Sequence, residues 1–516
     1  MYMSKFNHLF TAPILLAASL ISQSAFSITF QGKPDIPVDS AEFGHTLAKH
    51  GKYIIVGADR HAEYGRENQV SFNWDINRNV DGGAIYLLTD DNSEPIKKYQ
   101  FLKDPTLAPN LDHISHLANP LNFSSQVDIT DNWIIATLTR HYNPTTFTSQ
   151  PAVVIIPKKN GQFPTCPTSA YITGIPGDLT TQRPWKNAVN CSPISGTSTS
   201  SGILIVPLPP EFYGGLGRNA KVKISGNAFA VATRNRLVSY HRNSTTGQWK
   251  LIQTFVPAAG QIISDIDLHG QILAIGVTSA QGPIAYNDNS DGVVDNNDYI
   301  FDYSGQVHTF KLSQTAATSA GVLSGGGLGF GLLVALNQNT LAVGSGGIEY
   351  PAQYLTLNPH LASTPLPIGK VHQYKFDTQA ASGQNAWLNR GYGEFTSTPR
   401  QLSLDDNVLV VQLHEVGKNV SSPYVAYEPN VVAKLFYKVS GQDPAFNLGT
   451  GQQNKSIYKS QIEAARPYYS QNAFEAIDPI RVGNGNVVVG WRAAKGDISD
   501  LFPLTGGIFQ VNLTEL

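Results

Sequence analysis

Residues 43–58 read FGHTLAKHGKYIIVGA, and this stretch determines the fold class. It contains a short run of alternating apolar and polar residues, a polar turn at residues 50–52, and an apolar run that ends in Gly57-Ala58. This arrangement is typical of two antiparallel strands joined by a tight turn. The stretch is therefore predicted to form a β-hairpin.

The same pattern recurs six more times along the chain. Each copy has two short apolar runs around a polar turn, with turns at 130–132, 225–227, 269–271, 337–339, 405–407 and 483–485. Further β-rich runs follow, for example at 83–87, 305–310, 369–374 and 506–511. The spacing between successive turns exceeds the usual length of a propeller blade, about 40 to 50 residues. The additional residues are therefore expected in loops between strands. Seven copies predict an all-β fold, a seven-bladed β-propeller.

The two ends of the sequence predict how the ring closes. After the third β-rich run of the last copy, almost no chain is left before Leu516, whereas residues 28–30 precede the first hairpin without a partner. The N-terminal strand is therefore expected to complete the seventh blade. Closure removes the exposed edges that an open sheet would present to other chains. A pair of β-sandwiches and a β-helix are the alternative folds.

Two Phe-Gly pairs carry a family resemblance. Phe43-Gly44 followed by residues 56–58 (VGA) resembles the FG-GAP repeat of integrin-α-type β-propellers, and Phe330-Gly331 followed by Val343-Gly344 is a second copy. The overall pattern covers nearly the whole chain after residue 27, but the Phe-Gly pair occurs only in the first and fifth copies. The resemblance implies a seven-bladed propeller.

The composition argues against nucleic-acid binding, and the first residues predict an exported protein. The chain of 516 residues has 36 Lys and Arg against 38 Asp and Glu, which gives no electrostatic footprint for nucleic acid. Residues 1–27 have the pattern of a signal peptide, with Lys5, an apolar run over 9–21 and a small-x-small site at 25–27. A membrane anchor is the alternative, but no run approaches the roughly 18 apolar residues of a span. A single domain over 28–516, secreted or periplasmic and monomeric, is expected.

The two cysteines are expected to pair. Cys166 and Cys191 lie in a Pro-, Ser- and Thr-rich insertion at 157–202. In an oxidising compartment a disulfide between them would close a loop, worth roughly 3 kcal/mol by the chain-entropy model.

Two stretches have the spacing of calcium loops. Residues 287–298 read NDNSDGVVDNND, which puts oxygen donors at the alternate positions of an EF-hand-like loop. The expected ligands are Asn287, Asn289, Asp291, the carbonyl of Val293, Asp295 and Asp298. A looser second set is Asp75, Asn77, Asn79 and Asp81. A structural Ca²⁺ ion is predicted, and a polar turn without metal is the alternative.

Arg, His and Tyr side chains are expected on one rim of the ring. In each hairpin the two strands are antiparallel. The residues before the first strand and those after the second strand therefore lie on the same rim of the ring. In the first four copies these residues include Arg60, His61, Tyr64, His116, Arg140, His141, Tyr213, Arg234, Arg236 and Tyr286. They could simply pack over neighbouring blades and bind carbonyl groups. The alternative is a groove for an anionic ligand.

The residue types on this rim suit β-elimination from an acidic polysaccharide. The sequence contains no Gly-x-Ser-x-Gly elbow, no His-Glu-x-x-His motif and no phosphate loop, and these rim residues include no pair of carboxylates. Arg or His could neutralise a uronate carboxylate and so acidify the C5 proton. His or Tyr could remove that proton and protonate the departing oxygen.

In architecture and residue types, the chain resembles the ulvan lyases, secreted seven-bladed propellers that cleave a sulfated, uronate-containing polysaccharide. The resemblance implies that Tyr213 is the base or acid, that His141 or His116 is its partner, and that Arg234 neutralises the carboxylate. Arg60, His61, Tyr64, Arg140, Arg236 and Tyr286 would contact sugar or sulfate. The alternative function is a calcium-stabilised FG-GAP propeller that binds carbohydrate or protein without catalysis.

Overall fold

The structure of the protein is a computed structural model. The described residues are 28–32, 43–58, 83–99, 123–143, 148–164, 203–213, 215–217, 220–279, 284–285, 299–300, 305–325, 329–346, 369–380, 385–395, 399–413, 431–439, 446, 448, 454–464, 477–491 and 507–513. They form seven four-stranded antiparallel sheets, which are the blades of a seven-bladed β-propeller.

In each of blades 1 to 3, the four strands follow one another in chain order from the central channel outwards. Blade 1 consists of β2 (Thr46–His50), β3 (Tyr53–Ala58), β4 (Ala84–Thr89) and β5 (Lys97–Tyr99). Blade 2 consists of β6 (Val127–Ile129), β7 (Trp133–Asn143), β8 (Thr148–Pro157) and β9 (Leu204–Pro207). After a 3-10 turn (Pro210–Phe212), blade 3 consists of β10 (Lys221–Ser225), β11 (Ala228–Ala232), β12 (Leu237–Arg242) and β13 (Trp249–Phe255).

Blades 4 to 6 repeat this order. Blade 4 consists of β14 (Gln261–His269), β15 (Ile272–Ser279), β18 (Gly305–Leu312) and β19 (Ala317–Ser324), with a two-stranded ladder of β16 (Ile284–Ala285) and β17 (Tyr299–Ile300) between its second and third strands. Blade 5 consists of β20 (Leu333–Asn337), β21 (Thr340–Ser345), β22 (Gly369–Phe376) and β23 (Trp387–Phe395). Blade 6 consists of β24 (Pro399–Leu404), β25 (Val408–Leu413), β26 (Val431–Tyr437) and β27 (Asn454–Tyr458), followed by the short helix α1 (Lys459–Ala464).

Blade 7 joins the two ends of the described chain. It consists of β28 (Ile477–Gly483), β29 (Asn486–Trp491), β30 (Gly507–Asn512) and β1 (Ile28–Gly32). In the outermost pair, Ile28 lies opposite Val511 and Gly32 lies opposite Gly507. The first strands of successive blades contact each other in a closed circle. The prediction that the N-terminal strand closes the ring is therefore confirmed.

Side chains on the first strand of one blade bind the backbone of the next blade. The Ile224 amide donates to Asp128 Oδ2 over 2.8 Å, and the Leu336 amide donates to Asp267 Oδ2 over 2.6 Å. Equivalent bonds link Gly270 to Ser225, Ile480 to Gln401 and Val482 to Ser403. A first strand is an edge strand, so some of its amides have no ladder partner, and these side chains supply one.

The Phe-Gly pairs fill the space between blades. Phe43 and Phe330 are both fully buried, and the glycines that follow them have positive φ angles, 93° at Gly44 and 89° at Gly331. The carbonyl oxygen of Phe330 lies so close to Gly305 of blade 4 that a Cβ there would overlap it. A large ring, a left-handed glycine and a facing glycine together explain the motif.

Blade 2 contains a third copy that the sequence pattern does not reveal. Buried Phe123 is followed by Ser124, whose φ angle is also positive, 74°. The Ser124 amide donates to Thr137 O over 3.1 Å, just as Gly44 donates to Gly57 O over 3.1 Å. Phe123-Ser124 is therefore the structural equivalent of a Phe-Gly pair.

Candidate functional site

Tyr213 lies on the rim of blade 3, in the segment that precedes the first strand. The Pro210–Phe212 turn begins at proline, whose fixed φ angle suits the first position of such a turn. The Tyr213 amide donates to Pro210 O over 2.9 Å, and Phe212 is buried beneath the turn. Tyr213 itself is 52% exposed.

The segment around Tyr213 contacts the turn at residues 233–236, which follows the second strand of blade 3. Arg236 Nη1 lies 3.5 Å from Glu211 Oε1, and a Cβ at Gly215 would lie 2.8 Å from Thr233 Cγ2. Residues on both sides of Tyr213, Glu211 and Gly215, thus contact the turn. The shared rim that the hairpin topology predicts is present in this blade.

Arg234 is the exposed arginine of that turn. Its carbonyl oxygen accepts a hydrogen bond from the Ile263 amide of blade 4 over 2.7 Å. The backbone of the turn is therefore fixed between two blades, while the guanidinium faces solvent. Among the described residues, no ion pair forms with Arg234, unlike Arg236, which Glu211 partly neutralises.

Arg140 and His141 lie in an extension of blade 2 rather than in a loop. The hairpin pattern predicts that the second strand ends near Ala136, but β7 continues to Asn143, with His141 opposite Gln150. The pairing register shifts between Leu138 and His141. The seven further residues of strand, 137–143, add about 23 Å, so β7 and β8 form an arm beyond the rim.

The base of this arm contacts the Tyr213 segment. Thr139 Oγ1 donates to Leu216 O over 3.5 Å, and the Leu208 amide donates to Pro151 O over 2.8 Å. Thr139 is two residues from His141, and Leu216 is three residues from Tyr213. The described residues therefore bring together three elements that carry predicted site residues: the arm, the Tyr213 segment and the 233–236 turn.

The other predicted positions fall outside the described residues. For Arg140 and His141 the structure describes the backbone. The positions outside the described residues are Arg60, His61, Tyr64, His116, Tyr286, both cysteines, Asp75, Asn77, Asn79, Asp81 and residues 287–298. In the part of the chain that the structure describes, no group of three or more His, Cys, Asp or Glu side chains could hold a metal ion. In the same part, no helix is long and apolar enough to cross a membrane.

Glu211 is a rim residue that the sequence pattern did not indicate. It was missed because only Arg, His and Tyr were sought in the segments that flank the hairpins. The available signal was its position between the two prolines of residues 209–210 and buried Phe212, where a polar residue must point outwards. Its carboxylate makes this part of the rim less cationic than expected.

The central channel holds a second group of charges, in one layer of the first strands. Asp128, Lys223, Asp267 and Arg481 come from four blades, and Lys223 Nζ lies 2.9 Å from Asp267 Oδ1. Burial raises the pKa of Asp128 despite nearby Lys223. Burial alone would lower the pKa of Lys223, but the carboxylates of Asp267 and Asp128 outweigh it, so the pKa is raised. Two acidic and two basic side chains therefore balance each other in this layer.

Known proteins are similar to this chain only in structure, at low TM-scores. No protein-family model matches the chain, and no curated protein matches its sequence. Among solved structures, a chain of the mitotic checkpoint complex aligns with 9% identity and a TM-score of 0.39, covering 99% of both chains.

Two further structures align in the same way. A protein from Bacteroides uniformis, provisionally assigned as a 6-phosphogluconolactonase, has 8% identity and a TM-score of 0.37, covering 80% of this chain and 86% of its own. Sqt1 from Saccharomyces cerevisiae has 8% identity and a TM-score of 0.33, covering 95% and 98%. At these values the similarities carry no argument about activity. The chain is a seven-bladed β-propeller whose sheets show the architecture directly.

Proposed function

We propose that the protein is an exported polysaccharide lyase that cleaves a uronate-containing, sulfated polysaccharide by β-elimination at the rim of blades 2 and 3. The observation that carries the proposal is the packing of the Tyr213 segment against both the 233–236 turn and the base of the β7–β8 arm. Two exposed residues, Tyr213 and Arg234, then lie in adjoining segments of one rim.

Each proposed role follows from the chemistry of elimination. Arg234 binds the uronate carboxylate and stabilises the negative charge that develops when the C5 proton leaves. Tyr213 or a histidine, His141 or His116, removes that proton. The C4–O bond breaks as the C4=C5 double bond forms, and the other member of the pair protonates the departing oxygen. Arg236, held by Glu211, is left to contact sugar hydroxyls or sulfate.

The decisive experiment measures the ultraviolet absorbance of unsaturated uronate when the protein is mixed with ulvan, alginate or pectate. Tyr213→Phe should lower turnover by about 10² to 10⁴, the usual contribution of proton transfer, with little change in polymer binding. Arg234→Ala should lower turnover as well and weaken binding.

A matched control for Tyr213→Phe is Tyr437→Phe on blade 6. The Tyr437 hydroxyl is buried and has no hydrogen-bond partner among the described residues, so its removal should leave turnover unchanged. If the folded wild-type protein produces no absorbance on any of the three polymers, the lyase proposal is wrong.

A second candidate function is a binding or adhesion propeller without catalysis. The Glu211–Arg236 pair favours it, because a partly neutralised arginine contributes less to a catalytic cation pair. This candidate predicts that polymer or protein binding survives Tyr213→Phe and that no absorbance appears for either protein.

We also propose a structural Ca²⁺ ion in the loop at residues 287–298. The support from the structure is the ladder that flanks this loop, in which Ala285 lies opposite Tyr299 and Ile284 opposite Ile300. This ladder brings the two ends of the loop together, as a closed loop of oxygen ligands requires.

A further inference from the structure

The outer edge of blade 5 carries an aromatic side chain that the rim site does not use. Tyr392 in β23 is 54% exposed, although it is in contact with two neighbours. Its ring lies 5.4 Å from the His372 ring, and Lys370 Nζ lies 4.6 Å from its centroid. About half of this aromatic residue thus remains open to solvent.

A β-bulge directs Tyr392 outwards. His372 pairs with Tyr392 and Tyr374 pairs with Asn389, so one residue of β22 faces two residues of β23. One of those two is Gly391, which has a φ angle of 104° and empty space where a Cβ would be. Bulges of this kind re-aim a side chain and are frequent beside functional sites. Gly391 itself has no side chain that could cover the Tyr392 ring.

Charged groups of both signs lie beside the ring. Lys370 Nζ forms an ion pair with Glu394 over 3.1 Å, and both residues point to the same face as Tyr392 because alternate residues of a strand share a face. The pair offers N–H donors and carboxylate acceptors. A sugar hydroxyl is both a donor and an acceptor, so it can bind both members of this ion pair. The set therefore matches a pyranose ring with its apolar C–H face on the aromatic ring.

We infer that Tyr392, with Lys370 and Glu394, forms a second saccharide-binding site that holds the polysaccharide chain outside the rim site. Tyr392 lies three residues from the rim end of β23, about 10 Å along the strand, so a polymer that crosses the rim can continue onto this edge. This inference rests on the proposed polysaccharide substrate, but it requires only binding and no cleavage.

The test is affinity electrophoresis through gels that contain ulvan, alginate or pectate, with the Tyr213→Phe protein as background so that the polymer stays intact. Tyr392→Ala should raise the dissociation constant for the polymer by about fivefold or more, as expected for the loss of a stacking aromatic residue. Tyr392→Phe keeps the ring and should be retarded almost as strongly as the parent. Leu388→Ala removes an exposed side chain of the same strand, 41% exposed, and should change nothing.

The outcomes separate this site from the lyase proposal. Equal retardation of Tyr392→Ala and Leu388→Ala overturns the second site, whatever the absorbance assay shows. No retardation of the parent in any gel overturns it too. Loss of retardation in Tyr392→Ala alone supports the site, even if the wild-type protein produces no unsaturated uronate. Circular dichroism of each variant checks that the propeller is folded.

Discussion

At the scale of single residues, Ser124 stands where two other blades have glycine. Its φ angle of 74° is unfavourable for a residue with a Cβ, and its buried hydroxyl has no hydrogen-bond partner among the described residues. The left-handed conformation costs about 1 to 2 kcal/mol and an unpaired buried hydroxyl a similar amount, against roughly 1 kcal/mol of extra chain entropy for glycine. Ser124→Gly should therefore raise the free energy of unfolding by about 1 to 3 kcal/mol.

Chemical denaturation measures this difference, and the reverse change serves as a control. Gly44 has the same place in blade 1 with a φ angle of 93°, so Gly44→Ser should lower the free energy of unfolding. If Ser124→Gly also destabilises the protein, the proposed equivalence of Phe123-Ser124 with a Phe-Gly pair is wrong.

His372 makes the stability depend on pH. Burial lowers its pKa from 6.5 to about 4, helped by the charge of Lys370. Between these two values the unfolded chain binds a proton that the folded protein does not, so stability falls as the pH falls from 6.5 towards 4. The full loss would be about 3 kcal/mol.

Replacing His372 by a ring that does not titrate isolates this effect. His372→Phe should keep the contact with Phe330, whose ring lies 5.2 Å away, and should lose the corresponding part of the acid sensitivity. Melting temperatures at several pH values from 7 to 4 check this. Parallel curves for the two proteins would show that His372 does not sense the pH.

At the scale of elements, turns were predictable and strand lengths were not. The turn residues of all seven hairpins mark where the first strand ends, because Gly, Asn and Asp favour those backbone angles. The predicted end of β7 was wrong because residues 139–143 are as polar as a loop. They form a strand because they pair with β8. The bulge at Gly391 is likewise set by the partner strand, which the sequence pattern does not specify.

The loop between β16 and β17 gives a prediction for metal removal. If Ca²⁺ binds only the folded loop, it stabilises the protein by mass action, by about 2.7 kcal/mol when the free ion is at 100 times its dissociation constant. A chelator should then lower the melting temperature by a few degrees. Asp291→Asn removes a charged ligand and should abolish the effect of the chelator on the melting temperature. Asp81→Asn tests the second predicted calcium loop separately. An unchanged melting temperature after chelation of the wild-type protein would contradict a calcium site.

At the scale of the whole molecule, the number of blades and the closure of the ring followed from repeat counting, but the contacts between blades did not. The bonds from Asp128 to Ile224 and from Asp267 to Leu336 join residues 96 and 69 positions apart, and no local pattern indicates them. Glu211 and Arg236 also meet only because two loops reach one rim. The same limit applies to the site: the sequence pattern sorted residues by rim, and the fold decides which of them meet.

The seam between blades 7 and 1 is where the ring must close, and a buried ion pair lies there. Lys49 Nζ is 2.8 Å from Asp90 Oδ2, and both side chains are almost fully buried. The side-chain Nδ2 of Asn486 in blade 7 donates to the same carboxylate oxygen over 3.1 Å. Asp90→Asn leaves the Lys49 ammonium buried without its counter-charge. Removal of one partner of a buried pair costs about 3 to 5 kcal/mol, so the free energy of unfolding should fall by that amount at neutral pH.

The pH dependence of this loss distinguishes a charge effect from a packing effect. Burial already lowers the pKa of Lys49 despite the opposing charge of Asp90, and Asp90→Asn removes that opposing charge and should lower the pKa further. A lysine whose folded pKa lies below its unfolded value loses its unfavourable charge as the pH rises, so the variant should recover stability towards pH 10.5. Asp131→Asn, at a carboxylate 79% exposed, should change stability by less than about 0.5 kcal/mol at any pH. A deficit in Asp90→Asn that stays constant with pH would show that the seam depends on packing and on the Asn486 bond rather than on the charge of Lys49.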